Sequence, residues 1–245
     1  MFKTSQITAF KNALEGISNL VQDTCLIFQP DKSLLIRDFD KTGKVLVVAE
    51  FVAESFDQFN FSERTVVGID LVSFSKCLKS SSPTDILECV VCPEKITLRI
   101  LSGKSKKTFN LKTLNLKEED KKFPVQYFDY QVTINSGILT SFCKTLLANC
   151  EKVFLTCCLE RLTFSGALDT GTVEFSLDSG RDLEIIPSED AKEKVSGCYD
   201  LRYLLLFSKC SGLSEDTILY LKDDYPLILE YSFKSLGNLK LCLQI

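Results

Sequence analysis

The sequence predicts an α+β protein of two similar halves, each built from antiparallel sheet and two helices. Three observations support this prediction. Segments with the order helix, strand, strand recur at an offset of about 130 residues. Short runs rich in β-branched and apolar residues, most of them bounded by turn signals, make up much of the remaining sequence. One charged stretch that contains a proline separates the two copies.

Two helices that begin with Asp-Leu form the clearest copy of the repeat. DLVSFSKCLK covers residues 70–79 and DLRYLLLFSK covers residues 200–209, and each has a lysine eight positions after its leucine. Two amphipathic helices make a second pair, over 7–21 and 136–150, because apolar residues recur there at the spacing of one helix face. The same order of helices in both halves predicts a duplicated domain.

Pairs of strands make the third match. CLIFQPDKSLLIRDFD at 25–40 resembles VFLTCCLERLTFSGALD at 153–169, since each is an apolar strand, a charged turn and an alternating strand. Leu34 and Leu162 hold matching positions 128 residues apart. Further strands are expected where apolar and β-branched residues cluster between turn signals. Their sequences are VLVVAEFV, DILECVV, KITLRIL, KTFNLKTL, TVEFSLD, TILYLKD, LILEYSF and LKLCLQI.

Two polar segments are predicted to lie outside the sheets. NLKEEDKKFPVQY (115–127) is charged, contains a proline and lacks apolar periodicity over most of its length, which is typical of a connector between domains. The expected domains are therefore 1–114 and 128–245. GRDLEIIPSEDAKEKVSG (180–197) is predicted to be a surface loop of the second half.

Composition indicates a folded protein in a reducing compartment. Of 245 residues, 45% are hydrophobic and 25% charged, as in ordinary soluble domains, and no apolar run is long enough to span a membrane. The N-terminal sequence MFKTSQITAF has no apolar core of the kind found in signal peptides. The 11 cysteines are odd in number and scattered, many at apolar positions, which favours free buried thiols over disulfides. We therefore expect the chain in the cytosol or the nucleus.

No arrangement of catalytic residues is evident in the sequence. Histidine is absent, which excludes Ser-His and Cys-His catalysis and the usual zinc sites that contain histidine. There is no glycine-rich phosphate loop. Cys89 and Cys92 have CxxC spacing, but they lie in an apolar strand, where positions three apart point to opposite faces. We therefore expect no enzymatic activity, no metal and no cofactor.

Positive charge is concentrated on the four predicted helices. The segments 9–22, 72–80, 137–149 and 201–211 carry 0, +2, +1 and +2, which is +5 together. Because the whole chain carries −4, the remainder carries −9. A solvated surface explains such charges on one helix. Cations on the same side of repeated helices instead indicate one positive surface that faces a polyanion.

The whole chain resembles the DNA sliding clamps of the proliferating cell nuclear antigen type. The resemblance is densest at DLRYLLLFSKCSGLSEDTILYLKDDYPLILEYSF (200–233) and SLGNLKLCLQI (235–245), and it is also clear at GIDLVSFSKCLK (68–79). It implies the DNA clamp fold and a homotrimer that closes head to tail into a ring, with helices lining the hole and sheets outside. The implied function is a processivity factor that encircles duplex DNA without reading its sequence.

The resemblance implies that six cations of the helices face the DNA. These are Lys11, Lys76, Lys79, Lys144, Arg202 and Lys209. Helical spacing agrees with this for the helix at 70–79, because its lysines lie off its apolar stripe. The resemblance also implies that an edge strand near 107–114 pairs with one near 172–179 of the next subunit, and a heterologous interface whose rotation closes gives a ring.

The resemblance further implies an apolar pocket beneath the connector that binds short partner peptides with aromatic anchors. The matching positions are Phe39, Leu46, Phe123, Pro124, Phe128, Pro226, Cys242, Gln244 and Ile245. Alternation supports Leu46, because its neighbours Val45 and Val47 are expected to face the core.

Some pocket positions depart from the family pattern, so an altered partner preference is expected. Lys44 and Lys121 stand where the family has apolar residues, Cys242 replaces an aromatic residue and Gln244 a small one. The sequence ends at Ile245 without the acidic tail that the resemblance implies.

The implied partners are duplex DNA, a DNA polymerase, a flap nuclease, a ligase and a clamp loader. The implied location is the nucleus, or a cytoplasmic replication compartment if the source is viral. Two other interpretations stay open: a monomeric or hetero-oligomeric relative of the clamps, and a DNA- or protein-binding regulator on the same fold, because fold alone does not fix function.

Overall fold

In a computed structural model, which describes residues 1–119, 121, 123 and 127–244, the polypeptide divides into two units. The first unit comprises Met1–Lys122 with Ser232–Leu239, and the second comprises Phe123–Tyr231 with Lys240–Ile245. Each unit contains two helices and antiparallel strands, as the repeat predicts. None of the helices in the described residues is long and apolar enough to cross a membrane.

The first unit is built from strands β1–β9 and two helices. Strands β5, β1, β7, β8 and β9 lie side by side in this order, as do β4, β3, β2 and β6. Neighbouring strands run antiparallel. The bounds are β1 (Phe2–Thr4), α1 (Ile7–Ser18), β2 (Asp23–Gln29), β3 (Ser33–Phe39), β4 (Val45–Val52), β5 (Gln58–Phe59), β6 (Thr65–Asp70), α2 (Leu71–Leu78), β7 (Ile86–Val91), β8 (Lys95–Ser102) and β9 (Ser105–Lys112).

Phenylalanine rings fill the core of the first unit. Phe10 on α1 meets Phe2 at 5.6 Å and Phe51 at 5.0 Å between ring centroids, edge to face in both cases. Such pairs stabilise the core beyond the apolar area that they bury. The other buried residues of α1 are Ile7, Ala13, Leu14, Gly16 and Ile17. The helix is therefore held by its apolar stripe, which leaves Lys11 half-buried and Glu15 exposed on its other side.

The second unit repeats this plan. Strands β14, β10, β16 and β17 lie side by side, as do β13, β12, β11 and β15, and neighbours run antiparallel. The bounds are β10 (Tyr130–Asn135), α3 (Ser136–Leu147), β11 (Lys152–Cys158), β12 (Arg161–Leu168), β13 (Gly171–Asp178), β14 (Leu183–Pro187), β15 (Lys194–Asp200), α4 (Leu201–Ser208), β16 (Asp216–Leu221) and β17 (Leu227–Ser232). A last strand, β18 (Gly237–Leu243), contributes residues to both units.

Helix α3 is anchored in the second unit by an aromatic contact with the sheet. Phe142 on α3 packs edge to face against Phe164 of β12 at 5.5 Å and stacks on Phe175 of β13 at 5.0 Å. The buried residues of α4 are Leu201, Leu204, Phe207 and Ser208. Both helices therefore turn their apolar stripes inward, as helical periodicity predicts.

An aspartate starts one helix in each unit. The Asp70 carboxylate accepts hydrogen bonds from the backbone N–H of Ser73 at 3.0 Å and from its hydroxyl at 2.7 Å. The Asp200 carboxylate accepts from the backbone N–H of Arg202 at 2.9 Å. A carboxylate at this position satisfies a backbone donor that has no partner within the helix. The repeated Asp-Leu pair therefore has a local physical cause, since aspartate caps the helix and leucine opens its buried stripe.

The segment made of residues 114–119 and 121, which contains the start of the predicted connector, lies along the first unit. Three contacts hold it there: the backbone N–H of Leu114 donates to the carbonyl of Gly68 at 2.8 Å, Arg64 pairs with Glu118, and Lys121 pairs with Asp38. Glycine is required at position 68, because a Cβ there would collide with the Leu114 carbonyl oxygen. The segment is thus bound to β6 and β3 by its backbone and by ion pairs.

One predicted loop contains a strand, so that prediction was wrong. Within 180–197, β14 pairs with β10 over five residues, from Leu183 opposite Ile134 to Pro187 opposite Tyr130. Only Leu183 of this strand is fully buried, and Ile186 is 46% exposed. Because β14 lies at the edge of its sheet, polar residues are tolerated on it and the alternating pattern is hidden.

Strands β9 and β13 lie at the edges of their sheets. Just after β13, the backbone N–H of Ser179 donates to the Glu160 carbonyl at 2.8 Å. Backbone N–H groups alternate in direction along a strand, so this bond fixes which residues of β13 donate to β12. By that alternation the N–H of Phe175 points towards β12, whereas the N–H of Ser176 points away from the sheet. The outer side of β13 therefore carries backbone donors and acceptors that point away from its own sheet.

Candidate nucleic-acid interface

The six predicted DNA-facing cations all lie on helices or their C-terminal caps, away from the buried stripes. Lys11 on α1 is half-buried. The other five are exposed, and they are Lys76 on α2, Lys79 at its C-cap, Lys144 on α3, Arg202 on α4 and Lys209 at the C-cap of α4. In each unit the two helices pack against each other, α1 with α2 and α3 with α4. The cations of one unit therefore belong to one helix pair.

Two of the six cations are engaged by carboxylates of their own unit. The Lys79 ammonium lies 3.2 Å from Glu15 of α1. The Arg202 guanidinium binds Asp200 through two nitrogens, at 2.6 Å and 3.1 Å. These contacts raise the pKa of the Arg202 guanidinium, and the hydrogen bond to Asp200 is the largest cause.

The remaining four cations form no ion pair in the described part of the chain. Within the described part of the chain, no carboxylate oxygen lies within 4.0 Å of the ammonium of Lys11, Lys76, Lys144 or Lys209. Lys76 acts at longer range, as one of the smaller contributions that lower the pKa of Asp70. The larger causes of that lowering are the hydrogen bonds from the Ser73 backbone and side chain. Unpaired ammonium groups on a helix surface are suited to salt-sensitive contacts with phosphates.

Two of the predicted pocket residues, Phe39 and Leu46, lie opposite each other on β3 and β4 of the first unit. Leu46 is only 2% exposed, contrary to the expectation that it faces outward. Its neighbours Val45 and Val47 are buried as well, so both faces of this end of β4 are covered. Farther along the strand the expected alternation holds, since Val52 is 38% exposed.

Beside Phe39, the side chain of Asp38 binds the ammonium of Lys121. Burial lowers the pKa of Lys121, but the hydrogen bond and ion pair with Asp38 more than offset this, so the net shift is upward. Lys121 therefore stays charged. The lysine that stands in place of an apolar family residue thus tethers the connector segment to β3.

One predicted pocket residue of the second unit, Phe128, belongs to an aromatic cluster. Phe128 is half-buried, and its ring lies 5.3 Å from that of Tyr220 and 5.7 Å from that of Tyr225. Pro226, which follows Tyr225, is half-buried, and so is Phe123. We call Phe128, Tyr220 and Tyr225 the aromatic cluster.

Two predicted pocket residues near the end of the chain differ in exposure. Cys242 is 2% exposed, and burial raises the pKa of its thiol to about 12, so it is an inert apolar side chain. Gln244 is exposed. Pro124 and Ile245 lie outside the described residues.

Sequence reasoning missed the tyrosines of the aromatic cluster. The signal was the alternation TILYLKD, in which Leu219 and Leu221 are buried and Tyr220 lies between them on the other face. The Tyr220 hydroxyl donates to Glu230 at 2.7 Å, and Lys240 lies 3.3 Å from the same carboxylate. The cluster is therefore bordered by a charged network.

Of the two cysteines with CxxC spacing, Cys89 lies in β7 as predicted, whereas Cys92 follows the end of that strand. Cys89 is fully buried, and burial raises the pKa of its thiol, whereas Cys92 is half-exposed. All 11 cysteines are free thiols in the structure. Across the residues that the structure describes, no three histidine, cysteine, aspartate or glutamate side chains are grouped to hold a metal ion.

Two family models match the chain. Residues 1–122 match the N-terminal domain of proliferating cell nuclear antigen, and residues 122–244 match its C-terminal domain. The chain is also similar to proliferating cell nuclear antigen 2 of Drosophila melanogaster, with 25% identity over 242 residues that cover 97% of this chain and 94% of the relative.

Proposed function

The chain belongs to the proliferating cell nuclear antigen family of DNA sliding clamps and polymerase processivity factors, and we propose that its four helices supply the surface that faces DNA. The family acts without catalysis, and we propose the same for this chain. The DNA-facing side chains are Lys11, Lys76, Lys79, Lys144, Arg202 and Lys209. Together they form what we call the cation face.

One observation supports the cation face above all. In each unit the helices bury their apolar stripes and expose cations in a chain of net charge −4. If solvation alone set these positions, acidic residues would be as frequent as basic ones on the exposed helix faces. Contacts from such cations go to phosphates, which position a protein on DNA without reading its sequence. A sliding protein needs contacts of this kind.

Not all six cations are expected to contribute equally. Lys76, Lys144 and Lys209 are exposed and free of ion pairs in the described chain, so they can meet phosphates without breaking an existing contact. Lys79 and Arg202 must first leave Glu15 and Asp200. We therefore propose that the free lysines dominate the salt dependence of DNA binding.

We propose that a homotrimeric ring closes by pairing β9 of one subunit with β13 of the next. Both are edge strands, and their charges are complementary. β9 carries Lys106, Lys107 and Lys112 and no acid, whereas β13 carries Glu174 and Asp178 and no cation. Pairing would cover both open edges and remove the risk of uncontrolled strand association.

We propose that partner proteins dock through a short peptide with aromatic anchors. Support comes from the aromatic cluster of the second unit and from Pro226 beside it. The connector, residues 115–127, is proposed to border this site. The expected partners are a DNA polymerase, a flap nuclease, a ligase and a clamp loader, in the nucleus or in a viral cytoplasmic replication compartment.

Two measurements on the purified protein test the proposal. Light scattering should give three times the subunit mass of 27.6 kDa. With a clamp loader and ATP, the protein should remain on nicked circular DNA in high salt and be lost when the circle is cut, because a ring slides off a free end. A protein that is monomeric, or that leaves circular and linear DNA equally fast, would contradict it.

A further inference from the structure

The loop between α2 and β7 contains three consecutive serines, and their hydroxyls differ in what they bind. The Ser80 hydroxyl donates to the Cys77 carbonyl at 3.2 Å. The Ser81 hydroxyl donates to the Leu78 carbonyl at 2.6 Å. Both are thus used at the last turn of α2, where carbonyls lack partners within the helix. The Ser82 hydroxyl forms no hydrogen bond with any residue that the structure describes.

Ser82 opens a turn at the protein surface. Its backbone N–H donates to Oδ2 of Asp85 at 2.8 Å, and the N–H of Asp85 donates back to the Ser82 carbonyl at 3.0 Å. Proline is favoured at the second position of such a turn, because its φ is already fixed. Ser82, Pro83 and Thr84 are all exposed. The turn therefore holds a free hydroxyl in solvent.

The residue after Ser82 narrows the kind of enzyme that could modify this hydroxyl. No other serine or threonine of the sequence directly precedes a proline, because the other prolines follow glutamine, cysteine, phenylalanine, isoleucine or tyrosine. Pro83 has no backbone N–H, and it restricts the residue before it to extended backbone. Both properties suit the substrate cleft of a proline-directed protein kinase, which takes an extended chain and needs no donor from the residue after the acceptor serine.

Two exposed lysines lie beside this turn. The Lys107 ammonium donates to the carbonyl of Ser80 at 2.6 Å, and the two residues from there to Ser82 span at most about 7 Å. Lys107 also acts on the turn electrostatically. The hydrogen bond from the Ser82 N–H is the main cause of the lowered pKa of Asp85, and the charge of Lys107 lowers this pKa further. Lys79 is the C-cap of α2, three residues before Ser82.

We propose that Ser82 is a phosphorylation site for a proline-directed protein kinase, and that the phosphate weakens DNA binding by the cation face of the first unit. In the reaction the Ser82 hydroxyl oxygen bonds to the γ-phosphorus of ATP, and the bond from that phosphorus to the bridging oxygen breaks. ADP leaves, and the hydroxyl proton passes to a base of the kinase. The effect on DNA rests on the proposed function, whereas the modification itself does not.

The effect on DNA follows from charge. A phosphoserine carries about −1.5 to −2 at neutral pH and adds three acceptor oxygens. The segment 72–80 carries +2, from Lys76 and Lys79. One phosphate on Ser82 therefore cancels most of the positive charge of α2. It also gives Lys79 a second anion besides Glu15, and it repels the phosphates of DNA.

The first experiment tests the site. The full-length protein is incubated with magnesium, ATP and a purified cyclin-dependent kinase, which is proline-directed, and mass spectrometry locates the phosphate. The wild type should gain one phosphate per subunit in this loop, on Ser82. Ser82→Ala should gain none there, and Pro83→Ala should lose most of the phosphorylation rate. Ser80→Ala is the matched control, because it removes a neighbouring hydroxyl and should be phosphorylated as fast as the wild type.

The second experiment tests the effect by measuring DNA affinity at several salt concentrations. Phosphorylation should weaken binding by about tenfold or more and lower the salt slope by about 0.9 for each phosphate of DNA that is no longer neutralised. Ser82→Ala carried through the same kinase treatment should bind DNA as the untreated wild type does. The phosphorylated protein should still scatter light as a trimer, because Ser82 lies on neither β9 nor β13.

Each other outcome counts against the inference. A loop without phosphate, phosphate on another residue of the loop, or an equal rate in Pro83→Ala would overturn the site. Phosphate on Ser82 with unchanged DNA affinity would overturn the effect, and so would a phosphorylated protein that is no longer trimeric. If the unmodified protein showed no salt-dependent DNA binding, the proposed function and the effect would fail together. The modification of Ser82 would still be decided by mass spectrometry alone.

Discussion

Helices α2 and α4 begin alike but distribute their charges in opposite ways. Both are capped by aspartate, and both have a lysine at the C-cap. In α2 the capping Asp70 is bound by Ser73, and the C-cap Lys79 is paired with Glu15. In α4 the capping Asp200 pairs with its neighbour Arg202, and in the described chain no carboxylate lies within ion-pair distance of the C-cap Lys209.

This difference shows which features the repeat preserves. The cap and the buried leucine are kept in both units, because each is needed to start and bury the helix. The number of exposed cations is kept as well, at two per helix. Which cation is neutralised by a neighbour is not kept. The two units are therefore alike in backbone and packing, but they differ in which cation is neutralised by a neighbour.

The largest expected effect tests the edge strands of the two units. Ser176→Pro in β13 removes an N–H that points away from its own sheet, so the subunit should fold but fail to pair with the next one. Asn110→Pro should do the same in β9, where the backbone N–H of even-numbered residues points away from β8, as that of Leu114 does. Both variants should sediment as monomers near 27.6 kDa and lose processive synthesis.

Phe175→Pro is the matched control. Its N–H points into the ladder with β12 and its ring stacks on Phe142, so this change should destabilise the subunit itself. A Ser176→Pro variant that still forms trimers would place the subunit interface elsewhere. A Ser176→Pro variant that unfolds like Phe175→Pro would show that the edge is needed for folding.

The second-largest effect compares cations that form no ion pair in the described chain with cations that are paired to a carboxylate. Lys76→Glu with Lys209→Glu removes one free lysine from each unit, and Lys79→Glu with Arg202→Glu removes one paired cation from each. In a trimer each double variant changes six sites. The slope of DNA affinity against salt should fall by about 0.9 for each phosphate that the variant no longer neutralises, and it should fall more for the free pair.

Measurement of DNA affinity at several salt concentrations checks this expectation. Both double variants should still form trimers and bind partner peptides, since these residues lie on neither proposed surface. Slopes equal to that of the wild type in both variants would mean that the cation face does not meet DNA. A larger fall for the paired cations would reverse the proposed order.

The third effect tests the two caps. Asp70→Ala should lower the free energy of unfolding by about 1–2 kcal/mol, because Ser73 loses its acceptor. Hydrogen bonds from Ser73 hold the pKa of Asp70 below its usual value. This contribution is therefore present at neutral pH and is lost as the pH falls below about 4 through the folded-state pKa. Asp200→Ala should cost less, because the second contact that it loses is an ion pair with an exposed guanidinium, which contributes little, and not a hydrogen bond from a serine hydroxyl.

Chemical denaturation at pH 7 and at pH 3 checks these values. The difference between wild type and Asp70→Ala should shrink at the lower pH, because the stability that a lowered carboxyl pKa supplies is lost as the pH falls below the unfolded-state value. A difference that stays constant with pH would mean that the charge of Asp70 contributes nothing to the cap.

Most of the fold could be predicted from the sequence because strong local patterns set it. The four helices follow from apolar stripes and from the repeat, and most strands follow from alternation between turn signals. The strand Leu183–Pro187 could not be predicted, because an edge strand has little need of apolar residues. Its position depends on pairing with β10, which is distant in sequence.

The candidate site was less predictable than the fold. The family resemblance indicated the cations, and helical spacing agreed for the helix at 70–79. However, Glu15 and Lys79 are 64 positions apart, and only the packing of α1 on α2 brings them together. Leu46 was placed correctly on its strand, yet burial depends on what covers that face. No local pattern encodes such contacts.

The smallest expected effect is a gain of DNA binding. It tests whether Lys79 and Arg202 can bind phosphates once their carboxylate partners are removed. Asp200→Asn keeps a capping oxygen for the N–H of Arg202 but removes the charge that binds its guanidinium. Glu15→Gln does the same for Lys79 in the other unit. Each freed cation can bind one phosphate, so the salt slope should rise by up to about 0.9 per phosphate. Affinity at low salt should rise a few fold.

Asp169→Asn is the matched control, because it adds the same net charge at an exposed turn and should change the slope little. If Asp169→Asn gave the same gain, net charge alone would explain the effect. If neither Asp200→Asn nor Glu15→Gln changed the slope, Arg202 and Lys79 would not reach DNA, and the cation face would consist of the four unpaired lysines alone.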